Sequence, residues 1–188
     1  MASVNYIDLR RGNVIEHEGE IHVVVATEHV TPGKGHGMMQ IKLKNLKTGA
    51  IYQKRFRPGD KVDLIFVEKK EMEYLYKDTA GLVFMDRETY DQVTLPEDLL
   101  GDSLKFLVPN TVCSAELYDG KIISIQLPDV VELEVTETDP VVKGQTATNQ
   151  YKPATLETGV RITVPPFITT GEVVRVDTRT GEYVERAK

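Results

Sequence analysis

Short runs of alternating hydrophobic and polar residues dominate this chain. Alternation with a period of two places every second side chain on the same face of a strand, so each run predicts a half-buried β-strand. Turn signals recur about every 8 to 12 residues, a spacing typical of all-β barrels and sandwiches. In the first third of the chain, the predicted strands are residues 21–27, 38–46, 51–56 and 61–67.

Two further sets of runs follow, and helical periodicity is scarce. The second set predicts strands at residues 72–76, 82–85, 104–108, 111–117 and 122–127, with one short helix at 96–102. The third set predicts strands at 130–135, 160–164, 172–176 and 183–186, with a long polar loop at 137–158. We therefore predict an all-β fold of three small β-barrel domains, with boundaries at 1–65, 66–128 and 129–188.

The segment at residues 31–37 reads Thr-Pro-Gly-Lys-Gly-His-Gly and lies between two predicted strands. Pro32 fixes its own φ, and Gly33, Gly35 and Gly37 permit the positive φ values of a tight turn. One interpretation is an ordinary hairpin turn with a solvated lysine. The other is a thin finger that carries Lys34 alone into a narrow cleft of a large partner, because bare backbone approaches closely and the ammonium arm reaches further.

The formal net charge of −6 is distributed unevenly. Lys and Arg outnumber Asp and Glu by ten to seven in residues 1–64, but are outnumbered by twelve to six in 65–128 and by ten to seven in 129–188. The basic part therefore contains the Lys34 loop. Lys42, Lys44, Lys54 and Arg55 follow that loop on two predicted strands and are candidates for binding RNA phosphates. A solvated sheet face is the alternative interpretation.

Other function classes find little support in the sequence. There is no apolar run of about 18 residues and no signal segment at the start, so we expect a cytoplasmic protein without membrane contact. Cys113 is the single cysteine, which fits a reducing compartment and a small buried side chain.

Enzyme motifs are also missing. The segment from His17 to His22 resembles a zinc-protease motif, but its second histidine comes one position late and Gly19 disfavours the helix required. No nucleophile elbow, phosphate-binding loop or dinucleotide fingerprint is present. We expect no catalytic activity, no metal and no cofactor.

At this point the motifs resemble those of the bacterial elongation factor P family, over the whole chain. The loop Pro32-Gly33-Lys34-Gly35 resembles the modified-lysine loop of that family, and residues 41–49 match the alternating strand that follows it. The C-terminal signature of the family is matched by Lys152-Pro153-Ala154-Thr155-Leu156, Gly159, Val164-Pro165, Phe167, Gly171-Glu172, Val174, Val176-Asp177-Thr178 and Gly181-Glu182-Tyr183-Val184.

The resemblance implies an SH3/KOW-like N-terminal domain followed by two OB-fold domains, in an L shape similar to that of tRNA. It also implies a monomeric factor that binds the ribosome between the P and E sites and contacts rRNA and the peptidyl-tRNA in the P site. Such a factor stimulates peptide bond formation and relieves stalling at consecutive prolines. Lys34 would act at the loop tip after extension by a lysine-modifying enzyme, although residues 36–40 depart from the pattern of the β-lysylated members.

A second site is implied in the predicted loop at residues 137–158. Gly144, Gln145 and Thr146 resemble the loop that members of the family use near the E-site codon. The family often has aspartate in place of Gln145. A glutamine amide can still donate and accept hydrogen bonds at a base edge. A surface loop with a glycine turn is the alternative interpretation.

The alternative function is a general single-stranded RNA-binding OB-fold protein. Tyr74 and Tyr76 are two residues apart on a predicted strand, so they would share one face and could stack on bases. Packing on a core or at a domain seam is the other interpretation, and the acidity of this middle segment favours it. This alternative predicts binding to free RNA with a steep salt dependence and no special role for Lys34.

Overall fold

The computed structural model describes residues 2–31, 33, 37–140 and 151–188. The predicted all-β class is confirmed, since the described chain forms three sheets and only short 3₁₀ helices, at Tyr6–Asp8, Glu97–Leu99 and Gly101–Phe106. The strands are β1 Ala2–Asn5, β2 Val14–His17, β3 Glu20–Val30, β4 Met38–Asn45, β5 Ile51–Phe56, β6 Lys61–Ile65, β7 Glu68–Lys77, β8 Leu82–Asp86, β9 Gln92–Leu95, β10 Val112–Tyr118, β11 Lys121–Gln126, β12 Val130–Thr138, β13 Lys152–Leu156, β14 Arg161–Val164, β15 Val173–Asp177 and β16 Tyr183–Arg186.

The first sheet has the strand order β1-β6-β2-β3-β4-β5, and β5 lies at its edge. Its strands alternate as predicted: Met39, Ile41 and Leu43 of β4 are buried, whereas Lys42 between them is exposed. The buried face packs into one hydrophobic core with residues of β2, β3, β5 and β6. The opposite face of β4 carries Gln40, Lys42 and Lys44, with Met38 at its start.

The second sheet has the order β11-β10-β7-β8-β9, and a bulge interrupts β7. Tyr74 pairs with Phe84 and Tyr76 with the adjacent Val83, so Leu75 is an extra residue without a partner of its own on β8. Tyr74 is buried against the Phe84 ring, with 5.4 Å between ring centroids, whereas Tyr76 is 52% exposed. The expectation that both tyrosines share one face is therefore wrong, because a bulge breaks the two-residue alternation.

The third sheet has the order β14-β13-β12-β15-β16, and its edge strands β14 and β16 also contact each other. Inward residues of all these strands except β16 form its buried core, and Tyr183 of β16 packs against it. Phe106, at the end of the last 3₁₀ helix, is buried in the same core. The third sheet is therefore completed by an aromatic ring that precedes it by about 25 residues.

Several sequence predictions are wrong in detail. Residues 104–108 were expected to form a strand, but Gly101–Phe106 is a 3₁₀ helix, and the single helix expected at 96–102 is split. Gly101 has a φ of +53° at the point of division, a conformation that ends a regular helix. The loop expected at 137–158 contains β13, and its residues 141–150 lie outside the described ranges.

The chain divides into two compact units. One contains residues up to Lys69 together with Glu116–Ser124, and the other contains Lys70–Ala115 and Ile125–Lys188. The three domain boundaries inferred from the sequence stay a prediction.

Candidate functional site

The Lys34 loop is connected to a regular antiparallel ladder. β3 and β4 pair as far as Val30 opposite Met38, so only residues 31–37 connect the two strands. Pro32, Lys34 and Gly35 lie outside the described residues. Gly33 is exposed, and a Cβ added to it would meet no atom within 4 Å.

Gly37 has a packing role that the sequence did not reveal. A Cβ at this position would lie 3.1 Å from Nε2 of His29 and 3.9 Å from the hydroxyl of Thr31. The first distance is shorter than ordinary van der Waals contact, so the His29 ring would have to move. Glycine here lets the returning strand pass close to His29 at the base of the loop. Sequence reasoning had assigned Gly37 only to turn flexibility.

Three of the four predicted phosphate-binding residues share one face of the first sheet. Lys42 lies opposite Gln53, and Gln40 lies opposite Arg55, on the side of β4 and β5 that faces away from the core. Lys44 occupies the same side, two residues after Lys42. Within the described part of the chain, none of the three cations pairs with an acidic side chain. We call Lys42, Lys44 and Arg55 the cationic face.

Lys54 lies on the other side of β5, opposite the buried Ile41. Its ammonium donates a hydrogen bond to Nε2 of His17 and lies 2.5 Å from Oε1 of Glu18. Only 31% of the Lys54 side chain is exposed. The structure therefore separates Lys54 from the cationic face, because consecutive strand residues point to opposite sides.

The protonation states around Lys54 are consistent with these contacts. Burial and then the neighbouring Lys54 charge hold the pKa of His17 below its ordinary value. A neutral His17 ring can accept a hydrogen bond at Nε2, which a doubly protonated ring could not. The hydrogen bond and charge of Lys54 lower the pKa of the Glu18 carboxyl, which therefore stays ionised beside the ammonium.

A second side-chain bridge connects β5 to β3. The Tyr52 hydroxyl lies 2.7 Å from Nε2 of the buried His22, and Nδ1 of His22 lies 3.0 Å from the backbone oxygen of Glu20. Since that oxygen can only accept, Nδ1 carries the proton and Nε2 accepts from Tyr52. The bridges made by Tyr52 and Lys54 hold the edge strand β5 against the β2–β3 hairpin, where no backbone ladder does so.

These contacts also account for the two histidines of the sequence 17–22. The rings of His17 and His22 are 6.2 Å apart, and three of their nitrogens are engaged in the hydrogen bonds just described. In residues 2–31, 33, 37–140 and 151–188, no group of three or more His, Cys, Asp or Glu side chains could hold a metal ion.

The second candidate loop is tied at its two ends. Gly144, Gln145 and Thr146 fall outside the described ranges, but the strands on either side pair through Thr138 and Ala154. The Lys152 ammonium donates a hydrogen bond to the backbone oxygen of Asp139. The connection between β12 and β13 thus starts and ends at adjacent points of the third sheet.

Cys113 is the one cysteine of the sequence. Cys113 is almost fully buried on β10, and burial raises its pKa to about 12, so its thiol stays protonated at neutral pH. Among the described helices, none has the length and apolar character needed to cross a membrane.

Three family models match successive parts of the chain. Residues 5–62 match the elongation factor P KOW-like domain, residues 67–125 match the elongation factor P OB domain, and residues 131–186 match the elongation factor P C-terminal domain. The expected KOW-like domain followed by two OB-type domains is thereby confirmed.

Comparison of the full chain with whole proteins also finds relatives named elongation factor P. The chain is 50% identical to elongation factor P of Moorella thermoacetica over 187 residues, which cover 100% of both chains. It is 49% identical to elongation factor P of Parvibaculum lavamentivorans over 184 residues, 98% of each chain, and 50% identical to that of Brucella ovis over 98% of this chain and 99% of the relative. Identity at this level along the full length shows that the chain belongs to the elongation factor P family of translation elongation factors.

Proposed function

We propose that this factor binds the ribosome between the P and E sites and stimulates peptide bond formation at consecutive prolines. Lys34 is the residue that acts, at the tip of the loop between β3 and β4. The observation that carries the proposal is the β3–β4 ladder, which continues to Val30 and Met38 and leaves a short, glycine-rich connection with one lysine. Membership in the family supports the same residue.

The chemistry of the reaction belongs to the ribosome. Proline reacts slowly in peptide transfer because its nitrogen is a constrained secondary amine and its ring limits the geometry of attack. A bound factor accelerates such a reaction when it holds the peptidyl-tRNA in a productive orientation, which lowers the entropic part of the barrier. Lys34, extended by a lysine-modifying enzyme, supplies a long arm for this purpose, and no acid, base or nucleophile of this chain takes part.

The cationic face supplies the contacts to RNA. Its three side chains lie on β4 and β5. β4 directly follows the Lys34 loop and pairs with β5, so the loop and the cationic face belong to the same run of antiparallel strands. Free ammonium and guanidinium groups bind phosphates with release of counterions. We assign Lys42, Lys44 and Arg55 to the phosphates of rRNA or peptidyl-tRNA, and we leave Lys54 out of this set because its charge is already engaged.

A second contact is proposed for the connection between β12 and β13. Gly144, Gln145 and Thr146 would lie near the E-site codon, where the Gln145 amide can bond to a base edge. The hydrogen bond from Lys152 to Asp139 supports this role because it fixes where the loop begins and ends.

We further propose that the factor is a cytoplasmic monomer with three domains at 1–65, 66–128 and 129–188. The three family matches, at 5–62, 67–125 and 131–186, each fall inside one of these ranges and support the boundaries.

The test is cell-free translation of a reporter with consecutive prolines, in a system depleted of the endogenous factor. Protein purified from its native source, which retains any modification, is compared with its Lys34→Ala variant and with Lys61→Ala as a matched exposed lysine. The native protein and Lys61→Ala should relieve stalling, Lys34→Ala should not, and a proline-free template should respond to none of them. Absence of rescue by the native protein would refute the proposal and favour general RNA binding.

A further inference from the structure

A cleft of about 450 Å³ opens at the end of the first sheet where β4 turns into β5. Three tight turns line it: the β2–β3 turn, the β4–β5 turn and the β10–β11 turn. All three turns belong to the same compact unit, which joins the N-terminal residues to Glu116–Ser124. The cleft therefore lies within one compact unit, although its third turn connects two strands of the second sheet.

Two of its walls are held in place by a buried amide. Asn45 donates a hydrogen bond of 2.5 Å from its side chain to Oε2 of Glu20, and its side-chain oxygen accepts from the backbone N–H groups of Lys47 and Thr48. Asn45 is 4% exposed, so these bonds are shielded from water. The third wall is the turn Asp119-Gly120, in which both residues have positive φ. A cleft made of such turns is formed before any ligand arrives.

The rim of the cleft carries two free cations and two acceptors. Among the described residues, the ammonium groups of Lys47 and Lys121 have no acidic partner within 4 Å. Oε1 of Glu20 and the carboxylate of Asp119 likewise accept no hydrogen bond from the described residues. The lining therefore offers positive and negative groups at once, without neutralising them internally.

The interior of the cleft is apolar. Ile21, Leu46, Ile123 and Tyr118 are half-buried and line it. A flat, polarisable body with hydrogen-bond donors at its edge and an anionic group fits such a lining better than an aliphatic ligand does. Inorganic anions would leave the apolar surface uncovered.

We propose that this cleft binds a single nucleotide whose base has an exocyclic amino group. The phosphate pairs with Lys47 and Lys121, the base packs on Tyr118, and the amino group donates to Glu20 or Asp119. Guanine, adenine and cytosine have such an amino group and uracil does not. The same chemistry is offered by a free nucleotide and by an unpaired nucleotide within RNA.

The test is a titration of the ¹⁵N-labelled full chain, followed by NMR, with CMP, UMP and cytidine. CMP should give saturable shifts at the backbone amides of Lys47, Tyr118 and Lys121. Loss of one charged hydrogen bond weakens binding by about tenfold or more. Cytidine, UMP and the variant Lys121→Gln should each show at least this loss. Lys61→Gln, which removes an exposed lysine elsewhere in the same unit, should bind CMP like the unmodified chain.

Two outcomes would overturn the proposal. The first is a set of CMP shifts that do not saturate at about 10 mM, a concentration well above the dissociation constant expected for a formed site. The second is equal binding of CMP by Lys121→Gln and Lys61→Gln. A single-stranded tetracytidylate separates the two sources of ligand. Tighter binding than CMP assigns the cleft to an unpaired nucleotide of RNA, and equal binding assigns it to free nucleotides.

Discussion

Replacing Lys42, Lys44 and Arg55 together with glutamine should make ribosome binding less dependent on salt, whereas replacing Lys54 with glutamine should leave that dependence unchanged. The two sets are neighbours in the sequence but lie on opposite sides of the sheet. The three cations of the first set have no acidic partner among the described residues. Lys54 is paired with Glu18 at 2.5 Å and also bonds to His17.

The magnitude follows from counting phosphate contacts. Each contact adds about 0.7 to 0.9 to the slope of log affinity against log salt concentration, so three contacts contribute about 2 to 3. Between about 50 and about 200 mM salt, one contact changes the affinity by about threefold, and three contacts change it by about thirtyfold. The triple variant should therefore lose most of this salt effect, along with affinity at low salt.

Binding to purified ribosomes is measured at four or more salt concentrations for the unmodified chain, the triple variant and Lys54→Gln. Circular dichroism at each concentration controls for unfolding, since Lys54→Gln removes a bridge to the β2–β3 hairpin. A fall in slope for Lys54→Gln equal to one third of that for the triple variant would refute the separation of Lys54 from the cationic face. An unchanged slope for the triple variant would refute the face itself.

Four further predictions concern stability and reactivity. Phe106→Ala should lower the free energy of unfolding by about 3 to 5 kcal/mol. Phe66→Ala, at a side chain that is 74% exposed, should change this free energy by about 0.5 kcal/mol or less. Equal free energies of unfolding for the two variants in urea denaturation would contradict the packing described. Burial raises the pKa of the Glu116 carboxyl, whose Oε2 has no hydrogen-bond partner among the described residues, so Glu116→Gln should stabilise the protein at pH 7. Thermal melting should show this gain shrink as the pH falls through the raised folded pKa and vanish at about 4.5. The pKa of His17 is lower in the folded protein, so the unfolded chain binds a proton at His17 more readily. The contribution of neutral His17 to stability is therefore present above about pH 6.5 and is lost as the pH falls from there toward the folded pKa. His17→Gln should flatten this part of the profile of stability against pH, and an unchanged profile would contradict the assignment. With a pKa of about 12 and almost no exposure, Cys113 should react with a thiol reagent at pH 8 only as fast as the protein unfolds, and rapid labelling of the folded protein would count against its burial.

β4 and β5 were the most predictable strands of the fold, whereas β1 and β2 of the same sheet were not predicted. β4 and β5 alternate strictly, and their predicted bounds of 38–46 and 51–56 agree with the structure within one residue. The same alternation, applied to positions 54 and 55, places these side chains on opposite sides. The sequence thus contained the information that separates Lys54 from Arg55, but grouping by charge alone obscured it.

Features that depend on distant parts of the chain were not predictable. The extra residue Leu75 in β7 is defined only by its register against β8, and no local signal marks it. β13 includes Pro153 and lies in a polar stretch, so its strand character comes from pairing with β12 and β14 rather than from its own composition. Residues 104–108 are as apolar as a strand, yet a 3₁₀ helix ends at Phe106 and its ring packs in the core of the third sheet.

The candidate site divides in the same way. The Lys34 loop was identified from Pro32, Gly33 and Gly35, because turn residues carry their own signal. The contact between Gly37 and His29 was not, since it depends on how closely two strand ends approach. The cleft lined by Lys47 and Lys121 joins residues more than 70 positions apart, and no sequence spacing indicates it.

The position of Phe106 has a consequence for how the chain is made. The ring is buried among strands that end only at Asp177, about 70 residues later. At a synthesis rate of about 5 to 20 residues per second, those residues take roughly 4 to 14 seconds to appear. During this interval the N-terminal sheet already has all its strands, whereas Phe106 still has no core to enter. The nascent chain therefore exposes an aromatic side chain to chaperones for several seconds, at a defined stage of its own translation.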